Sequence, residues 1–280
     1  SLSLCILVLA VDTGPLPLGS SALATRWRQE RALWQRYMHS HPQVSCKFLQ
    51  CGAGDDPDVV YCSSCTDRGR ASAHTLWRKT CEGLKQLDVA AFDYVIRPNL
   101  NMFVIFEHLV HYLESFPPMP RLYTAGQLRR VRRVRRSPMR KGTQYGWGAC
   151  TIFGRECAAA LASDAFAALA NKYNHSADDV CFGRFLPQLG FPLQGLPRWP
   201  LVHHWMGTGF PGSARVEFGA NTQWIDRCKL PCVRTKHMWW NRAHIQAALL
   251  ERYYPALQPV LTLVRRPRRS RWIRDPARSA

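Results

Sequence analysis

The feature that most constrains this chain is its first apolar run, LCILVLAV, from Leu4 to Val11, closed by Asp12 and Gly14. Eight apolar residues without polar alternation fit a strand covered on both faces, and fall well short of the roughly 20 that a membrane-spanning helix needs. Such a strand requires helices above and below its sheet, and the following sequence supplies them. Leu23, Trp27, Trp34 and Met38 fall near helical spacing, which predicts a helix from about Ala24 to His39. VSCKFLQC and DVVYC read as short strands. Leu76, Thr80, Leu84 and Leu87 mark a second helix, DYVIR another strand, and Phe103, Phe106, Leu109, Val110 and Leu113 a third helix. Strands interleaved with helices predict an α/β chain with a mainly parallel central sheet flanked by helices.

Beyond Phe116 the texture changes. PPMP breaks the chain, RLYTAG is a short strand with a glycine exit, and an arginine run fills a loop over 129–142. YGWGACTIF then leads into a strand and a helix from about Arg155 to Asn171. In HSADDVCFGRFLPQLG, Ser176 offers an N-cap, Val180, Phe185 and Leu189 a buried stripe, and Gly190 an end. One more helix is expected from about Ala243 to Tyr254. A chain of 280 residues at 46% hydrophobic content can enclose a sizeable core. The expectation is one domain over 1–258 and a mobile arginine-rich tail over 259–280.

The net charge of +19 suggests nucleic acid until its distribution is read. It is concentrated in two runs, Arg129 to Lys141 and Arg265 to Arg278, and the rest of the chain is only mildly basic. With few interleaved aromatics, the runs suit nonspecific, salt-dependent attraction to polyanions. The eleven cysteines follow no framework pattern. Cys62-x-x-Cys65 and Cys228-x-x-x-Cys232 offer four zinc thiolates, but their wide separation favours scattered thiols or a few disulfides. Asn174-His175-Ser176 is a glycosylation sequon that matters only in a secretory lumen. The residues present do not choose between a Golgi or ER lumen, reached through an upstream anchor, and a cytoplasmic or virus-associated location.

Candidate chemistry gathers at two places. In FDYVIRPNLNMFVIF, Arg97, Asn99 and Asn101 stand where a strand delivers its last residues, the edge at which ligands collect in open α/β sheets, and Asp12 opens onto the same edge. Asp178 and Asp179 begin a helix, where free N–H groups favour ionised carboxylates. Plainer roles compete at each position: a salt bridge from Arg97 to Asp93, a helix N-cap at Asn99, helix capping by Asp178 and Asp179, and a solvated surface position for Lys79. His108 and His111, three apart with no carboxylate between them, read as surface histidines.

The order KT, FDYVIRPNLNMF, YTAG, YGWGACTIF, DDVCFG and VRTK resembles the β1,3-galactosyltransferase and Fringe group of glycosyltransferases, particularly its short viral and microbial relatives. The resemblance runs from about Leu4 to Tyr254 and is strongest from Lys79 to Gly183. It implies a GT-A fold that binds a nucleotide sugar. It also implies inverting transfer of a hexose or N-acetylhexosamine from a UDP-sugar to a glycan hydroxyl, with Asp179 as general base and Gly183 at the family's glycine. Asp178 would orient Asp179 or contact the acceptor. Lys79 matches a family lysine, and Tyr145, Gly146 and Gly148 match a glycine-rich edge facing donor and acceptor; Trp147 between the glycines suits either sugar stacking or the core.

One departure is clear: the family's metal-holding Asp-x-Asp is replaced by Asn99 and Asn101. Either Mn2+ or Mg2+ is held weakly by Asn99, the diphosphate and a later His203 or His204, or cations (Arg97, Arg234 and Lys236) neutralise the leaving diphosphate; the second arrangement is favoured. A non-catalytic relative and a basic nucleic-acid-binding protein are the competing readings.

Overall fold

The structure is a computed structural model and describes residues 1–10, 22–65, 72–125, 128–130, 144–146, 150–172, 178–196, 201–202, 219–221, 250 and 254–257. In chain order it forms β1 (Leu4–Leu9), α1 (Ala22–Tyr37), β2 (Val44–Cys51), β3 (Val59–Cys62), α2 (Ser72–Lys85), β4 (Tyr94–Pro98), β5 (Met102–Val104), α3 (Phe106–Glu114) and β6 (Tyr123–Ala125). It continues with β7 (Leu128–Arg130), β8 (Gln144–Gly146), β9 (Cys150–Gly154), α4 (Arg155–Ala162), α5 (Asp164–Asn171), α6 (Asp178–Phe185), β10 (Leu201–Val202) and β11 (Gly219–Asn221).

The expected central sheet is present, in the order β3-β2-β1-β4-β9-β6. β1 pairs in parallel with both β2 and β4, and β2 with β3, while β9 runs antiparallel between β4 and β6. All six residues of β1 are buried, as its unbroken apolar run requires. Side chains alternate across the sheet, so Tyr94 and Ile96 join the core formed with Trp34, Tyr37 and Phe106 of α1 and α3. Val95 joins the opposite core under α2, α4, α5 and α6, with Trp77, Leu161, Phe166 and Phe182. No helix among the described residues is long and apolar enough to cross a membrane.

Two expected elements differ. Phe103 belongs to strand β5, not to a helix: Met102–Val104 pairs antiparallel with β11, and the helix starts only at Phe106. The helix expected over Arg155 to Asn171 is two helices, because Ser163 leaves the helical path and its hydroxyl accepts the Phe166 N–H as the cap of α5. The cysteines are scattered thiols and a disulfide, as favoured over zinc: Cys62 is a free buried thiol, and Cys51 and Cys65 form a disulfide that ties the exit of β2 to the segment after β3. Beside it, the Glu82 carboxylate of α2 accepts from the N–H and hydroxyl groups of both Ser63 and Ser64. Cys228, Cys232, the sequon, the loop over 131–143 and the tail lie outside the described residues.

Candidate functional site

Strand order reverses at β1, with β2 and β3 on one side and β4 on the other, so the carboxyl ends of β1 and β4 form a topological switch point, the ligand position in open α/β sheets. Leu9 and Asn99 pair across this end as an isolated parallel bridge. Asn99 is therefore not a helix cap: its carbonyl accepts from the Met102 N–H at 2.9 Å, in the turn between β4 and β5. Lys79 is fully buried, at 0% exposure, and its Nζ donates to the Ala10 carbonyl at the end of β1. It is no solvated surface lysine. α2 packs against β2 and β3, and the long side chain reaches the end of β1 and places its Nζ beside the switch point.

Arg97 is the last residue but one of β4 and faces the layer that contains α6. Its guanidinium is only 1% exposed, pairs through Nη2 with the Asp178 carboxylate, and lies 5.5 Å from the centre of the Phe182 ring. Arg97 does not pair with Asp93, whose carboxylate accepts the Ser3 N–H at 2.9 Å. Burial pulls the Arg97 pKa down to about 10 against the opposing charge of Asp179, so the group stays cationic near neutral pH. Its Nε and Nη1 make no hydrogen bond to a described residue.

α6 brings the two carboxylates to this edge. Asp178 is 5% and Asp179 9% exposed, and Asp179 Oδ1 accepts the Val180 N–H at 2.8 Å. Asp179 and Gly183 are one helical turn apart and share a face. On that face a Cβ at Gly183 would fall on the Gln144 carbonyl oxygen and lie 2.5 Å from Tyr145 Cβ, so the glycine is what lets α6 close on β8. The Arg97–Asp178 pair and the contact of Gly183 with Gln144 and Tyr145 thus bring β4, α6 and β8 together at this edge. Tyr145 is half-buried and Gly146 buried, the latter pressed against Ala125 of β6.

Two contributors were not singled out from sequence. Thr151, opposite Arg97 in the β4–β9 register, is fully buried on the same sheet face. Tyr123 lies on the same sheet face, and burial pushes its phenol well above the ordinary range. The alternation of RLYTAG and YGWGACTIF gives their face, but only the insertion of β9 between β4 and β6 brings them together on one sheet. Burial pushes the Cys150 and Cys181 thiols up to about 12, which keeps them in the unreactive protonated form near neutral pH. His108 and His111 are exposed on α3.

Asp12, Gly148, Trp147, His203, His204, Arg234 and Lys236 lie outside the described residues. At the described part of the edge, Asn99 and Asn101 offer amide oxygens where a hard cation prefers carboxylates, and Asp178 is committed to Arg97. Among the described residues no group of three His, Cys, Asp or Glu side chains is arranged to hold a metal. The described residues by themselves do not make up a donor set for Mn2+ or Mg2+.

No protein-family model and no curated sequence matches the chain. Among solved structures it is similar to mouse xyloside xylosyltransferase 1 in its apo form, at 9% identity and a TM-score of 0.41, over 79% of this chain and 97% of that one. It is also similar to the glycosyltransferase GlyE of Streptococcus pneumoniae TIGR4, at 6% identity and 0.42, over 91% of this chain and 64% of that one. A third likeness is to 4-diphosphocytidyl-2C-methyl-D-erythritol synthase, at 14% identity and 0.34, over 71% and 91%. These likenesses are distant, and neither the fold nor the site described above rests on them.

Proposed function

We propose that the chain is an inverting glycosyltransferase of the GT-A type that moves a hexose or N-acetylhexosamine from a UDP-sugar to a hydroxyl of a glycan acceptor. One observation supports the reading: α6, which carries Asp179 on the face that meets β8, is joined through Asp178 to Arg97 at the switch point of the sheet, and the charge of Asp179 acts on that guanidinium. The β1,3 linkage and the uridine nucleotide rest on the sequence resemblance.

In the reaction, the Asp179 carboxylate takes the proton of the acceptor hydroxyl as its oxygen bonds to the sugar C1. The bond from C1 to the phosphate oxygen breaks on the opposite side, and the diphosphate leaves with the electron pair. A positioned base of this kind contributes about 10²–10⁴ in rate. Arg234 and Lys236 of the VRTK segment are the cations for the departing diphosphate, since the described residues by themselves do not make up a metal donor set and Arg97 is engaged by Asp178.

The test is release of nucleotide from a panel of UDP-, GDP- and CMP-sugars, with and without added glycans. Turnover confined to UDP-sugars supports the reading, and absence of both turnover and binding for every donor overturns it. A second reading, a relative that binds without turning over, is favoured by the near burial of both carboxylates. Donor binding without release would select it.

A further inference from the structure

α6 has only eight residues, and a helix that short takes its position from what it touches rather than from its own stability. Arg97 touches it twice. Its Nη2 pairs with Asp178, and its guanidinium lies against Phe182, which is one turn further on and therefore on the same face of the helix. The neighbouring face, about 100° round the axis, carries Asp179 and Gly183 and meets β8.

We propose that Arg97 is a positioning residue: it clamps α6 through Asp178 and Phe182, sets the rotation at which Asp179 meets the sheet edge, and does not bind the donor diphosphate. The significance of Asp179 rests on the transferase reading, while the clamp stands on geometry alone. Burial supports the assignment. An arginine that meets a diphosphate presents its N–H groups to a ligand arriving from solvent, whereas this guanidinium is 1% exposed. The rival assignment is equally concrete: Nε and Nη1, which have no hydrogen bond to a described residue, would donate to phosphate.

The two assignments separate in four proteins: the parent chain, Arg97→Gln, Asp178→Asn and the double variant. Each single change leaves one buried charge without its counter-charge, so the amides from Val180 to Phe185 exchange faster with deuterium. The double variant restores a neutral pair and brings exchange back toward the parent rate. Arg97→Lys, which keeps the charge but loses the flat guanidinium over Phe182, falls between and serves if a single variant does not fold. UDP affinity by calorimetry stays at the parent value in the double variant. Where donor turnover is present, kcat falls in the single variants while the KM for donor is unchanged.

A loss of UDP affinity of about tenfold or more in the double variant, with parent-like exchange in α6, would overturn the proposal, because that is what a lost charge-assisted hydrogen bond to phosphate costs. Equal exchange in all four proteins would also overturn it. A parent chain that binds no UDP removes the transferase reading, and the exchange series still decides the clamp.

Discussion

Gly183→Ala is the sharpest probe of how α6 sits, because two effects of opposite sign compete at one atom. In a helix interior alanine is favoured over glycine by about 1 kcal/mol, so helix propensity alone predicts stabilisation. The added methyl, however, would fall on the Gln144 carbonyl oxygen and lie 2.5 Å from Tyr145 Cβ and 2.6 Å from its Cα. None of these is the far end of a flexible side chain. Ordinary contact between carbon atoms needs about 3.5 Å, so α6 and β8 must separate by roughly 1 Å. Overpacking of this kind costs about 1–3 kcal/mol, which cancels or exceeds the propensity gain and leaves the variant about 0–2 kcal/mol less stable. The effect on function is larger. Asp179 stands one turn before Gly183 on the same face, and a misplacement of about 1 Å can cost ~100-fold in rate. Urea unfolding followed by circular dichroism, alongside nucleotide release, measures both. A variant stabilised by about 1 kcal/mol with unchanged turnover would refute the close approach of α6 to β8.

Asp179→Asn is expected to lower kcat by about 10²–10⁴ while leaving UDP affinity intact, and turnover at the parent rate would remove Asp179 as the base. The Cys51–Cys65 disulfide closes a loop with a sequence separation of 14, so its loss through Cys51→Ser with Cys65→Ser should lower the unfolding free energy by about 3 kcal/mol in urea titrations. An unchanged midpoint would show that the bridge contributes nothing. For Glu82, partial burial raises the carboxyl, but hydrogen bonds from Ser64 and Ser63 outweigh it and hold the group below its ordinary value of 4.5. A depressed folded-state pKa gives stability that is present above the unfolded value and is lost as pH falls through the folded one. The gap in unfolding free energy between the parent and Glu82→Gln should therefore be constant near neutral pH and shrink below 4.5; a gap that is flat into acid would contradict this role.

The α/β order was legible because it depends on local periodicity. LCILVLAV is short, unbroken and bounded by Asp12 and Gly14, which favours a doubly covered strand, and the spacing of Leu76, Thr80 and Leu84 makes a helix face without reference to any partner. The acid pair at a helix start and the arginine-amide corner at a strand end were legible for the same reason. Each is a residue type at a local boundary.

Phe103 was misread because its fate is set by a partner far along the chain. Pairing with Ala220 in β11 overrides a spacing that suits a helix. Lys79 looked like a surface residue because its own helix does not reveal that the end of β1 lies beneath it. The partner of Arg97 was equally hidden. Asp93 is near in sequence but takes the Ser3 N–H, while Asp178 arrives only when β9 crosses antiparallel to β4 and α6 folds back over both. Sequence alone thus determined which elements form and which chemical groups stand at their ends. Tertiary structure decided which of those groups meet, because strand order, register and burial depend on the free energy of the whole packed chain and leave no mark on the periodicity of any one segment.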